Sequence, residues 1–354
     1  MKYPVITLLA LSCCNVHAQS GVKIYGVADA GIVFERGGDA GNNATLSSGI
    51  ASGSRLGFKG TEDLGGGLSA NFVIESGVAM DSGAAGQGGL AFGRQSFVAL
   101  NGAFGSLSAG RQYSPYYKAL RDVADPFDDG LAGQAANLMV ANRRMDNSLR
   151  YATPKLGGWS GELAYGAGEV AGDSTRKRAL SGTLNYAQGP LTVALAHYRR
   201  EDAGASQHAR HTLLAARYTL GAYQLHAAYA DNRGMGTVGG GATLLSSSAA
   251  GASVSGGTVG QPGVASRDLV LGLCATFGPH RFAGSVVQHQ DRSLAKQDAR
   301  QFGVAYLYGL SRQTDLYAAY GRIDNRNGAT FTVGNATDDG KGRRAINLGL
   351  RHLL

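Results

Sequence analysis

The sequence predicts an all-β protein, a transmembrane barrel of sixteen antiparallel strands, on three observations. Apolar residues recur at every second position along most of the chain. The connections between these runs alternate between short and long. A secretory leader precedes a chain with no apolar stretch approaching 18 residues. Successive side chains of a strand point to opposite faces, so a period of two marks a strand with one apolar and one polar side.

The leader comes first. Lys2 precedes the apolar run Val5 to Cys14, and Asn15-Val16-His17-Ala18 closes it on a small residue, so residues 1–18 are expected to be a signal peptide removed after Ala18. Its ten-residue apolar run is too short for a membrane-spanning helix. Cys13 and Cys14 lack the Leu-x-Gly/Ala context of lipoprotein processing, and their removal leaves Cys274 as the single cysteine of the mature chain. A lone cysteine excludes a disulfide framework and a cysteine-rich metal site. The formal charge of +8 becomes 8 − 1 = +7 without Lys2. In an exported chain that excess points to small anions or acidic surfaces and away from nucleic acid.

The strands follow in order. Ile24, Ala28, Ile32 and Phe34 alternate with Lys23, Tyr25, Asp29 and Glu35 in the first. Further alternating runs span Ser54 to Glu62, Leu68 to Glu75, Ala91 to Leu100, Ser106 to Gln112, Met145 to Thr153, Trp159 to Gly168 and Ala179 to Tyr186. The second half adds Leu191 to Arg199, His211 to Thr219, Tyr223 to Ala230, Asp268 to Phe277, Arg281 to Asp291, Arg300 to Gly309, Thr314 to Ile323 and Arg344 to Leu354. Short turns such as Asp63 to Gly67, Gln188 to Pro190 and Gly278 to His280 carry the glycine, proline and aspartate that tight turns need. Long connections, among them Arg36 to Gly53, Tyr113 to Asn142, Asp231 to Ser266 and Asp324 to Arg343, lie between them. The uncharged Gly/Ser/Ala-rich stretch within Asp231 to Ser266 reads as a flexible external loop, or else as a linker.

A soluble sandwich would bury its apolar faces around one core. One trimmed end, one elaborated end and an export signal fit instead a barrel of the outer membrane, with lipid outside and water inside. Closure pairs every backbone amide, as lipid demands, and sixteen strands enclose an aqueous channel. Parity then turns Leu56, Phe58, Leu68, Phe72 and Ile74 to lipid and Arg55 and Lys59 to the lumen.

The segments VKIYGVADAGI, SRLGFKGTEDLGGGLSANFVIESG, FGRQSFVALNGAFGSLSAGRQYSPYY and NSLRYATPKLGGWSGELAYG, in this order, resemble the general porins of Gram-negative beta-proteobacteria. The resemblance covers essentially the mature chain, residues 19–354. It implies a homotrimer of barrels in outer-membrane lipid, each passing ions and small hydrophilic solutes by diffusion and needing no cofactor. It also implies that the third external loop, Tyr113 to Asn142, folds inward to narrow the channel. Family members usually end on an aromatic residue read by the outer-membrane barrel-assembly machinery, and Leu354 departs from this.

The resemblance places an arginine ladder opposite that loop, at Arg55, Arg94 and Arg150. Parity agrees for Arg150, since Leu149 and Tyr151 take the other face; Arg94 shares the parity of Val98 and Leu100. Asp122, Asp125, Asp128 and Asp129 cluster on the loop, and acids facing arginines would set a transverse field across the channel. The plainer readings are solvated rim arginines and aspartates that cap turns. Together with the basic excess, the arginines favour anions. Tyrosines near strand ends, such as Tyr151, Tyr165, Tyr218, Tyr229, Tyr306 and Tyr317, are expected in interfacial girdles, in the lumen or at subunit contacts. Histidines are scattered without metal spacing and no serine sits in a Gly-x-Ser-x-Gly turn, so no enzyme activity and no metal site are expected. A barrel enzyme acting on lipid and a repetitive adhesin are the alternatives from other classes.

Overall fold

Alternation along the chain becomes a closed wall of strands. The computed structural model describes residues 21–38, 41–202, 204, 208–234 and 265–354; the signal-peptide reading and most of the glycine-rich connection lie outside them. Among the described residues seventeen strands are formed: β1 Gly21–Gly38, β2 Gly41–Ser48, β3 Arg55–Gly65, β4 Leu68–Gly77, β5 Gln95–Gly102, β6 Gly105–Tyr113, β7 Arg144–Ala152, β8 Trp159–Gly166 and β9 Ala179–Gln188, then β10 Leu191–Glu201, β11 His208–Leu220, β12 Tyr223–Arg233, β13 Ala265–Phe277, β14 His280–Asp291, β15 Ala299–Gly309, β16 Thr314–Asn325 and β17 Arg344–Leu353. From β3 onward each strand pairs antiparallel with the next. The ring closes through β1, which pairs with β17 along one edge and with β3 along the lower half of the other.

The upper half of that second edge belongs to β2, from Ala30 against Ser48 to Gly38 against Gly41. β2 and β3 together therefore fill one place in a sixteen-strand ring. This is the one strand missed in the sequence, where Arg36 to Gly53 reads as a loop. Its polar, glycine-flanked GNNATLSS lacks the apolar alternation, and it forms because β1 offers an unpaired edge. Between β2 and β3 the chain leaves the sheet, and the buried Asp29 carboxylate of β1 holds it there. Asp29 accepts hydrogen bonds from the amides of Ile50, Ala51 and Ser52 at 3.2, 2.9 and 2.8 Å and from the Tyr317 hydroxyl at 2.6 Å.

The outward parity is apolar around the ring, with Ile32, Leu56, Val98, Leu149, Leu184, Leu214, Leu271, Phe302 and Leu348 all exposed on the outer wall. Near the short-turn end, Trp159 packs at a tilt against Tyr186 at 4.8 Å and Phe282 against Tyr306 at 5.0 Å, an aromatic girdle of the kind that sits at a membrane interface. Tyr317 faces inward. Gly65, Gly66 and Gly67 in the first short turn hold φ values of 80, 60 and 80°, which other residues rarely adopt.

The inward parity is not uniformly polar. On β10 to β16 it carries Ala194, Ala196, Leu213, Ala215, Ala228, Val270, Val287, Ala305 and Ala319, all buried. Their cover is the β6–β7 connection.

Candidate functional site

The chain between β6 and β7 turns into the barrel and packs on that small-residue bed. Ser114 caps the short helix Pro115–Ala119 by accepting from the Tyr117 amide at 3.0 Å, with Pro115 at its first turn. A single π turn, Leu120–Ala124, and a 3-10 turn, Ala135–Asn137, follow. Tyr116, Leu120, Ala124, Phe127, Leu138 and Met139 are buried against the wall. Polar anchors fix the loop strand by strand. The Tyr116 amide donates to Ser181 on β9 at 3.1 Å, Arg217 on β11 to the Asp122 carbonyl at 2.8 Å, and Gln301 on β15 to the Gly133 and Gln134 carbonyls at 2.9 and 3.0 Å. His226 on β12 meets the Val123 carbonyl at 2.9 Å, and Cys274 on β13 the Pro126 carbonyl at 3.2 Å. Two wall glycines let the backbones touch: a Cβ on Gly303 would lie 2.5 Å from Gly133 Cα, and one on Gly321 2.3 Å from the Ala132 carbonyl oxygen.

The four loop aspartates separate into two pairs. Asp122 and Asp128 are partly exposed, the first beside Arg121 at 2.6 Å and the second beside Arg281 of β14 at 2.8 Å. Asp125 and Asp129, expected with them on the channel face, are buried inside the loop. Asp125 accepts from the amides of Phe127, Asp129 and Ala135 at 3.0, 3.1 and 3.0 Å, so it organises the turn. Burial pushes its carboxyl up to about 7. Asp129 receives a two-pronged contact from Arg143, at 2.7 and 2.9 Å, and the Tyr117 hydroxyl at 2.7 Å. The turn-capping reading describes these two.

Across the lumen, Arg55 and Lys59 on β3 face inward, Arg55 donating to Ser52 at 3.0 Å and Lys59 lying 5.0 Å over the Tyr25 ring. Arg94 also faces inward, although its parity matches Val98. It lies one residue before β5 begins, outside the alternation, and its guanidinium turns back to Glu75 at 2.8 Å and the Tyr113 hydroxyl at 2.9 Å. Arg94 is 6% exposed, so it braces the wall. Arg150 on β7 shares Glu162 with Lys118 of the loop, at 3.2 Å from the carboxylate.

Sequence reasoning missed the centre of the strip. Tyr113 and Tyr117 lie with ring centroids 5.1 Å apart, Arg121 sits 5.3 Å from each ring, and Arg144 sits 5.0 Å from Tyr113. Guanidinium groups held over aromatic faces keep their charge while losing little freedom. The only sequence signal was Arg143-Arg144 directly ahead of a strand. From Lys59 over Tyr25 to Arg121 over Tyr117, cations and tyrosines alternate along this side of the lumen. In this strip, Glu75 is taken up by Arg94 and Tyr25.

A family model described as Gram-negative porin matches residues 6–328. Outer membrane porin protein 32 of Delftia acidovorans is 28% identical over 99% of this chain and 99% of its own length. An outer membrane porin protein of Bordetella pertussis is 30% identical over 98% of this chain and 97% of its own. An anion-selective porin from Comamonas acidovorans has the same fold, with a TM-score of 0.76 at 23% identity over 95% of this chain and 100% of that one.

Proposed function

The chain belongs to the Gram-negative porin family, outer-membrane channels for diffusion of small solutes, and from that premise we propose that its lumen favours anions. The observation that carries this is an imbalance at the loop. Arg55, Lys59 and Arg144 line the wall, and Arg121 adds a cation on the loop beside Asp122, whereas two of the four loop aspartates, Asp125 and Asp129, are consumed inside the loop. Opposed charge of unequal strength orients dipolar solutes and weights small ions by sign. The relative described as anion-selective supports the same sign.

The proposed assembly is a homotrimer in outer-membrane lipid. Its support is a shallow apolar hollow of about 560 Å³ on the outer wall of β1 and β3 to β7, lined by Gly60, Ala70, Phe72, Val98, Ala109 and Leu149. Small residues flanked by large ones suit close packing of a second barrel better than disordered acyl chains. Residues 1–18 are proposed as the export signal.

Reversal potentials in a salt gradient across a planar bilayer test the selectivity. The wild type is expected to prefer anions, and Arg55→Gln with Lys59→Gln to lose most of that preference at little cost in folding. Cation preference in the wild type would overturn the proposal.

A further inference from the structure

A second connection turns into the barrel. Residues 326–343, between β16 and β17, read in the sequence as one more long connection, yet the middle of this segment leaves the rim and goes inward. Val333 is 1% exposed and Asn335 4%, and the wall beside them is covered too, with Val33 and Glu35 on β1, Ile323 on β16 and Ala345 on β17 buried on the inward parity. The connection first folds on itself. The Val333 amide donates to the Gly342 carbonyl at 2.8 Å, and the Asn335 side-chain oxygen accepts from the amides of Thr337 and Asp338, both at 3.0 Å. Glu35 then accepts from the Lys341 amide at 2.6 Å and holds the returning limb to β1.

The tip, Asn335 to Asp338, joins two other parts of the chain. Thr337 donates to the Ser48 carbonyl at 2.6 Å, and the Ala336 amide to the Ile50 carbonyl at 3.3 Å, both at the corner between β2 and β3. On its other side, Gln134 of the third loop donates to the Asn335 carbonyl at 2.7 Å, and the Gly334 amide donates to the Asn137 side-chain oxygen at 3.1 Å. The Ile50 carbonyl also receives the Leu131 amide of the third loop at 2.8 Å, so the corner, the loop and the connection meet on one oxygen. Ile50, Gln134 and Asn137 are fully buried at this junction. The third loop rests on β10 to β16, and the connection continues that cover over β16, β17 and β1. The wall left facing the lumen is that of β3 to β8, which carries Arg55, Lys59 and Arg150.

We propose that the β16–β17 connection is a seal on which the channel's selectivity depends: it closes the far side of the third loop and sends every solute past the cations of β3 to β8. Asn335, Thr337 and Gln134 are positioning residues in this device, and none needs to touch solute. With two passages in parallel, ions would divide between them, and one without the arginines would dilute the discrimination of the other. The covered wall is polar enough to hydrate if opened, since Asn347 of β17, 1% exposed, has no partner for either side-chain atom. The seal rests on the channel reading, and only its effect on ion sign rests on the proposed anion preference.

The test removes Asn335 to Asp338 from the full chain. Gly334 and Asp339 already lie together, since a Cβ on Gly334 would sit 2.9 Å from the Asp339 Cα, so joining them spares the strands. In planar bilayers the shortened channel should conduct more than the wild type, liposomes carrying it should admit a neutral trisaccharide faster, and the reversal potential in a salt gradient should shift toward cations. The sign of that shift is decisive. The deletion also removes the Asp338 carboxylate, and loss of an acid alone would shift the potential toward anions. Thr337→Val, which removes the bond to Ser48 and keeps the size of the side chain, should change conductance and uptake in the same direction by less, and it carries the test if the shortened chain does not fold. Unchanged conductance and uptake in these variants, or a shift toward anions, would overturn the proposal. A wild type without anion preference refutes the selectivity reading alone, and the seal then stands on raised conductance and uptake or falls without them. A wild type that prefers anions, with variants that match it in every measurement, rejects the seal and leaves the selectivity reading intact.

Discussion

At the residue scale, the same residue type serves opposite ends depending on what surrounds it. Asp129 is 5% exposed and Arg143 8%, so each has exchanged water for the other as its charged partner. Removing one member of a buried pair strands the other at a cost of about 3–5 kcal/mol. Arg143→Ala should therefore loosen the inward loop while leaving the barrel formed, seen as greater open-channel noise and larger conductance with unchanged heat-modifiable gel mobility. Asp125 gives a pH dependence with a definite sign. Burial raises its folded pKa to about 7, above the ordinary carboxylate value. Its neutral form is favoured in the packed loop, so the stabilisation is full below about pH 4 and is lost as pH rises through about 7. Loop noise should increase from pH 5 to pH 8 in the wild type and change much less in Asp125→Asn.

At the element scale, the loop and its bed were chosen together. Where the loop lies, β10 to β16 present mainly alanine and glycine inward, with Leu213, Val270 and Val287 among them, and leucine, phenylalanine and tyrosine outward where lipid lies. The runs Leu191 to Tyr198 and Thr212 to Tyr218 are apolar at nearly every position for this reason, since both faces of those strands are dry. At Gly303 any side chain would intrude on the loop backbone. Gly303→Val would push Gly133 off the wall into the lumen, and conductance should fall, whereas the same change at Gly284, whose nearest neighbour to a Cβ is at 3.7 Å, should leave it near wild type. Equal conductance in the two variants would show that the loop yields elsewhere.

At the scale of the whole molecule, the outer wall carries an apolar hollow low on β1 and β3 to β7 and a run of arginines near the upper ends of β10 to β17 and β1. Such a hollow is suited to contact with other copies of the barrel, and the rest of the wall to lipid. Insertion into a planar bilayer should then give channels that close in three equal steps; single-step closure would refute the trimer and leave the monomeric channel. The run of arginines also explains why net charge alone says little about selectivity. A large part of the basic excess, including Arg210, Arg300 and Arg344, faces outward and contributes only at long range to the lumen potential.

The sequence by itself determined the strands, their faces and the closed ring, because lipid on one side and water on the other impose a period of two that local reading detects. The pairing of short and long connections came with it. Only the tertiary structure decided which charged side chains stay open to the lumen and which are taken up by partners. Arg94 escapes its parity by preceding β5, Asp125 and Asp129 turn into their own loop, and Arg121 meets Tyr113 and Tyr117 across a fold in the chain. β2 likewise exists because β1 leaves an edge open. In each case the deciding contact joins segments far apart in sequence or lies outside a strand, where alternation carries no information.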